Sequence, residues 1–202
     1  MAGPEPVVQE RSTVSISLPA IADLNPQQRK IYDIFPANLS LGLVMTSVSA
    51  KPYLALGLSF RQGGLPAQTR ELVILRVGAA TNAAYEIHHH KREAQLAGVP
   101  DPVIDAVLSG ATVFADRGTE ILMTFVDDLL SGISGPAPDA GAIQEIYSDN
   151  EIAEIVLLAG HYVMTAMFIK TLGIVPETDT DASDLLATAT AKLGAPEPEA
   201  DQ

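Results

Sequence analysis

The sequence predicts an all-α fold, a compact helical domain with a weak internal helical repeat, on three observations. Apolar residues recur at spacings of three and four along most of the chain. The one β-like stretch is short, Val14 to Leu18. Helix starts and stops fall at helical lengths: Asn25-Pro26, Gly63-Gly64, Gly98 with Pro100, and Gly173 with Pro176.

In chain order, residues 1–20 are polar and Pro-containing and read as an extended arm. Asn25-Pro26 pairs a capping residue with a first-turn proline, and Ile31, Ile34 and Phe35 follow at helical spacing, so a helix is predicted over Asn25 to Phe35. Leu39 to Val48 and the run from Pro52 to Gly63 predict two more short helices. The segment RELVILRVGAATNAAYEIHHHKREAQLAGVPD, residues 70–101, runs helical until Gly98 and Pro100. Short and longer helices are expected at Asp101 to Leu108 and Arg117 to Leu130, then a turn-rich connector from Gly132 to Pro138. A last core helix is predicted over Asn150 to Leu172; its most apolar stretch, Ile155 to Ile169, carries His161 and Thr165 and is short for a bilayer, so it reads as buried. The domain thus spans residues 21–177, and 178–202 form an acidic flexible tail with one weak helix from Asp184 to Leu193. ELVIL at 71–75 is echoed by EIVLL at 154–158, the basis for the repeat.

With 47% hydrophobic residues in 202, the chain can bury a core without a disulfide or structural metal. It contains no cysteine, which removes thiolate nucleophiles and thiolate metal sites from the available chemistry. The net charge of −13 disfavours nucleic acid and anionic lipid as partners. The MAGPEPVVQERSTVS start has Pro and charge where a secretory signal needs an apolar run, so a cytoplasmic protein is expected. Against the overall charge, residues 51–92 hold six bases and two acids, a counter-charge for a small anionic substrate.

The chemistry centres on Glu71, Glu86 and His90. After Asn82, the positions Ala83, Ile87, His90, Ala94 and Ala97 form one stripe, so His90 points inward. Glu86 precedes it by four residues, a spacing that makes their side chains neighbours. His88 shares its face with Arg92 and Gln95 and should be solvated. On one unbroken helix Glu71 and Glu86 would stand roughly 22 Å apart. Gly78 as a weak point, with Thr81 or Asn82 capping a new helix, would let the chain fold back and bring Glu71 to His90. A partly buried histidine with carboxylate neighbours is a proton-transfer tool; the alternative is a core histidine satisfied by structural glutamates. His161, seven residues after Glu154, is a second polar candidate.

These residues resemble the carboxymuconolactone decarboxylase and AhpD-like family. Arg70, Glu71 and Leu72 match its R-E-L opening; Tyr85, Glu86 and His90 match its Tyr-Glu-Trp-x-x-His, with Ile87 in place of Trp; and Ala94 and Gly98 match its Ala-x-x-x-Gly ending. AGHYVMTAMFIKTLGIVPE is similar to the family's closing helix, with His161 where an aromatic is usual, and LPAIADLNPQQRKIYDIFP to its start. The resemblance covers roughly residues 18–177 and implies an all-helical AhpD-like domain assembling as a dimer, trimer or hexamer. One branch runs a Cys-x-x-Cys peroxidase relay, whose positions here are Ala83 and Glu86; the cysteine-free, decarboxylase-like branch is the better match.

The expected activity is therefore cofactor-free decarboxylation of a small carboxylated lactone or unsaturated acid. His90, Glu86 and Glu71 would move the proton, Arg76 or Arg70 would hold the carboxylate, and Tyr85 and His161 would line the pocket. Isomerisation, cyclisation or lactone hydrolysis on the same fold is one alternative. A non-catalytic ligand-binding or scaffold protein is another. A metal held by His88, His89 and His90 would need several chains, because consecutive helical residues point about 100° apart.

Overall fold

Asn25 and Gln28 open the first helix with a reciprocal capping box: the Asn25 side chain accepts from the Gln28 amide, and the Gln28 side chain from the Asn25 amide. That helix, α1 (Pro26–Tyr32), is followed by α2 (Asn38–Leu43), α3 (Ala50–Ser59), α4 (Ala67–Thr81), α5 (Ala84–Leu96), α6 (Asp101–Leu108), α7 (Arg117–Ser131) and α8 (Asp149–Leu172). The computed structural model describes residues 16–177 with Ala189, Ala191 and Lys192, and among these there is no strand. The fold is all-α, as predicted. Of the β-like run, Val14 and Ser15 lie outside the described residues and Ile16 to Leu18 form no strand; most of the helix expected from Asp184 to Leu193 also lies outside them, although Ala189, Ala191 and Lys192 are helical.

Helix α4 is the hub. Its segment Leu72, Val73, Ile74, Leu75 and Val77 is buried on all sides, the mark of a helix surrounded by protein. It packs against α5, α6, α7 and α8, and the two segments that suggested an internal repeat, on α4 and α8, lie in this one contact. One apolar cluster gathers around α4, α6, α7 and the first half of α8; a second joins α2, α3, Tyr85 and the second half of α8. Leu18, from the segment expected to be an extended arm, packs against the second cluster.

The turn between α4 and α5 departs from expectation in an instructive way. Gly78 does not break α4, which runs on to Thr81. It is instead a point of close approach: a Cβ there would lie 3.2 Å from Ile87 Cγ1 and 3.7 Å from Glu86 Cβ, so its bareness lets α5 lie tightly along α4. Nor does Thr81 or Asn82 cap α5. Thr81 Oγ1 donates back to the Val77 carbonyl at 2.7 Å within the last turn of α4. Asn82 stops that helix in the left-handed conformation, φ 53°, which asparagine tolerates better than other non-glycine residues.

Helix α8 is longer than its most apolar stretch suggested. At 24 residues it has the length and composition to cross a membrane, yet its inner face, from Ile155 through Leu158, His161 and Thr165 to Ile169, is buried in the protein. Ser148 and Glu151 box its start, and Gly173 at φ 67° ends it.

Because Asn82 is exposed and contributes only its backbone conformation, Asn82→Val should lower stability by about 1–2 kcal/mol, the cost of a branched Cβ in the left-handed region. Asn82→Gly should leave it unchanged or slightly improved, and chemical denaturation of the two variants beside the wild type measures both.

Candidate active site

The hairpin of α4 and α5 turns Glu71 back onto the helix that carries Glu86 and His90. Glu71 Oε2 stands 2.7 Å from His90 Nδ1, and Glu86 Oε2 lies 3.5 Å from His90 Nε2, so the two carboxylates approach opposite nitrogens of one ring. Glu71 is fully buried, and Glu86 and His90 are 4% and 7% exposed. The structure thus brings together the three residues that the sequence singled out.

Their environments differ in sign. Burial pushes the Glu71 carboxyl up, but His90 at hydrogen-bond distance, Arg70 at 3.0 Å and Arg61 at 3.9 Å outweigh it and hold it below the ordinary carboxylate range. Burial pushes Glu86 up as well; only the histidines oppose it, Glu71 adds to it, and the pKa ends raised. For His90, burial disfavours the charged ring, yet Glu71 and Glu86 prevail and its pKa lies above 6.5. An ionised Glu71 can only accept, so His90 Nδ1 carries a proton and Nε2 is the nitrogen that exchanges one. Two carboxyls with pKa values driven apart divide the work between a fixed anion and a group that shares a proton.

A pocket opens on the Nε2 side. It holds about 630 Å³ of space, its mouth included, and its walls come from Phe35 and Leu39, from Tyr53, Leu54, Gly57 and Leu58 of α3, from Tyr85, Glu86, His89 and His90 of α5, and from His161, Tyr162 and Thr165 of α8. Ala189, in the segment read as an acidic flexible tail, completes it and is fully buried; nearby, Lys192 Nζ donates to the Asp33 carbonyl.

Several of these groups were not foreseen. The Tyr162 hydroxyl lies 3.1 Å from His90 Nε2, with the two rings edge to face at 5.1 Å. The Tyr53 hydroxyl meets Thr165 Oγ1 at 2.5 Å. His89 faces Glu177, Nε2 to Oε2 2.7 Å but poorly aligned for a hydrogen bond, while Glu177 Oε1 accepts from the Tyr85 hydroxyl at 3.2 Å and from the Asn38 amide. The polar His-Tyr-x-x-Thr run in an otherwise apolar α8 was a readable signal for Tyr162 and Thr165; nothing in the sequence marked Tyr53.

The arginines correct the expectation. Arg76 does not reach the pocket: it is 4% exposed and forks onto Asp127, Nε to Oδ1 2.7 Å and Nη2 to Oδ2 2.5 Å, with Nη1 on the Val107 carbonyl at 3.1 Å. Arg70 lies behind Glu71 rather than in front of the substrate space, and Arg61, overlooked in the sequence, pairs with Glu93. All three cations are engaged by carboxylates, of which Glu71 and Glu93 are buried and Asp127 is partly exposed. Tyr85 and His161 do line the pocket, but Glu154 is no partner of His161: its carboxylate lies over Gly63, and His161 Nδ1 is buried without a hydrogen-bond partner. His88, His89 and His90 face three surroundings, solvent, Glu177 and Glu71.

The model of the carboxymuconolactone decarboxylase family matches residues 53–121, the stretch from Tyr53 through Glu71, Glu86 and His90. Among solved structures, an alkylhydroperoxidase AhpD core, an uncharacterised peroxidase-related protein from Ralstonia eutropha, superimposes with a TM-score of 0.64 at 17% identity, over 87% of this chain and 95% of that one. At that identity the likeness is one of fold. No curated protein matches significantly.

Two outcomes follow from this arrangement. Arg76→Met should lower stability by about 1–3 kcal/mol by leaving the Asp127 carboxylate and the Val107 carbonyl unpaired, without changing the pocket, which thermal melts and ligand titration would separate. Burial and then the charge of His90 hold the His161 pKa down, from 6.5 to about 4. A base depressed on folding favours the native state above its unfolded value and loses that contribution as pH falls toward the folded one. Wild-type stability should therefore drop between about pH 6.5 and 4 relative to His161→Phe, as equilibrium unfolding across that window would show.

Proposed function

We propose that the chain, whose residues 53–121 match the carboxymuconolactone decarboxylase family, is a decarboxylase-like lyase using histidine–glutamate proton transfer on a small carboxylated lactone or unsaturated acid. The observation that carries this reading is the pair of carboxylates on opposite nitrogens of His90, with the exchanging Nε2 facing the pocket. Glu71 holds the ring and favours its protonated form. His90 Nε2 delivers the proton, and Glu86 and the Tyr162 hydroxyl stand within reach to restore it. When the carbon–carboxylate bond breaks, its electron pair stays on carbon as a dienolate-like anion, carbon dioxide departs, and the proton from Nε2 quenches the anion.

The same proton economy supports isomerisation, cyclisation or lactone opening of such acids, and the family also embraces peroxidase-related proteins. The chain's own residues supply acid–base groups at the pocket, so proton transfer is the reading adopted. Assembly into a homo-oligomer belongs to the proposal, supported by a row of exposed apolar residues on α8, Val156, Leu157, Met164 and Met167.

The test is a panel of small carboxylated lactones and unsaturated acids, 4-carboxymuconolactone among them, followed by ultraviolet absorbance and carbon dioxide release in deuterated buffer. Turnover should place one solvent deuterium on a carbon of the dienolate system. His90→Ala should lower the rate by roughly two to four orders of magnitude, the usual worth of a positioned acid. Glu71→Gln should shift the histidine-dependent limb of the pH profile downward, since Glu71 raises the His90 pKa. Consumption of an organic hydroperoxide, with no carbon dioxide from any acid, would move the chain to the peroxidase-related side.

A further inference from the structure

The pocket's walls are mostly apolar, and its polar groups gather where α5 and α8 meet α3. No lysine or arginine lines it among the described residues. Arg61, Arg70 and Arg76 are bound to Glu93, Glu71 and Asp127. A ligand carboxylate entering this space sheds its water, a loss tolerable only where a charge partner replaces it. His90 can serve one carboxylate. A second would find apolar wall or the carboxyl of Glu86.

The hydrogen-bond protons can be traced group by group. Thr165 Oγ1 gives its one proton to the His161 carbonyl at 2.9 Å, so in its contact with Tyr53 the tyrosine is the donor. The Tyr162 hydroxyl is held at 3.1 Å by His90 Nε2 and belongs to the proton-transfer group. Both tyrosine hydroxyls are thereby engaged. His161 remains. The residue is 6% exposed and its ring lines the pocket beside Tyr53 and Tyr162, with Nδ1 buried and without a partner. Burial and the neighbouring His90 keep it neutral, with one N–H and one lone pair. A lone pair left alone costs less than a stranded N–H, which puts the proton on Nε2. That nitrogen sits over Gly57, 3.2 Å from where a Cβ would stand, so the bare glycine leaves room in front of the donor.

Resting on the acid–base reading above, we infer that this pocket selects a mainly apolar, carbonyl-bearing molecule with no more than one carboxylate, and that His161 Nε2, over Gly57, is the donor that recognises the carbonyl. His90 and Glu86 then act on the carbon skeleton while His161 fixes the far oxygen. Gly57 and His161 set specificity together: any side chain at 57 presses on the imidazole.

Binding of unreactive probes to the full chain tests this by calorimetry, without turnover. Coumarin should bind about three- to tenfold more tightly than 2H-chromene, which has the same bicycle without the carbonyl, the worth of one hydrogen bond. Cinnamate should bind at least about tenfold more tightly than 4-carboxycinnamate, because the second carboxylate is buried unpaired. His161→Phe, which keeps a ring of similar shape, should abolish the preference for coumarin over chromene; Gly57→Ala should reduce it. Equal or tighter binding of the dicarboxylate, survival of the coumarin preference in His161→Phe, or no binding of any probe overturns the inference. The wild-type comparison stands even if a variant fails to fold. Discrimination without turnover of any acid would sink the lyase reading alone, whereas turnover without discrimination would sink this inference alone.

Discussion

The contact on which the site depends is the 2.7 Å hydrogen bond between Glu71 on α4 and His90 on α5, made in a fully buried setting. A carboxylate there is costly unless it is paired, and Arg70 and Arg61 together with His90 supply the pairing. The pairing sets the tautomer of His90, turns its other nitrogen to the pocket, and joins the helices of the hairpin. Gly78 contributes by its bareness, since the approach of α5 to α4 that brings the two groups together runs past it.

From that contact the asymmetry of the site follows. Arginines cluster on the Glu71 side and, among the described residues, none acts on Glu86, so two chemically identical carboxyls titrate in opposite directions from the same starting value. The raised carboxyl of Glu86 is the one better suited to share a proton with His90. The same placement leaves the pocket poor in fixed cations and rich in rings and hydroxyls, a setting that favours proton movement over the binding of highly charged molecules.

Much of this was legible beforehand. The four-residue spacing of Glu86 and His90 is a local property of a helix and survives any packing. Helix ends at Asn25, Gly98 and Gly173 are written in residues whose backbone or side-chain chemistry admits few alternatives. The turn was harder: Asn82 carries both capping and left-handed propensities, and its place at the end of α4 rather than the start of α5 was settled by where the two helices make contact. The partners of Arg76 were beyond reach, because Asp127 lies 51 residues away on a helix whose neighbour only packing selects. Tyr53 and Ala189 were invisible for the same reason.

The sequence by itself determined the helices, the all-α class, and the residues able to move a proton, because each depends on periodicity, caps or side-chain chemistry within a few residues. The tertiary structure alone decided which carboxylate stays charged, which arginines are spent and which rings surround His90. Those properties are sums over groups far apart in the chain, and burial changes the strength and even the sign of their effect.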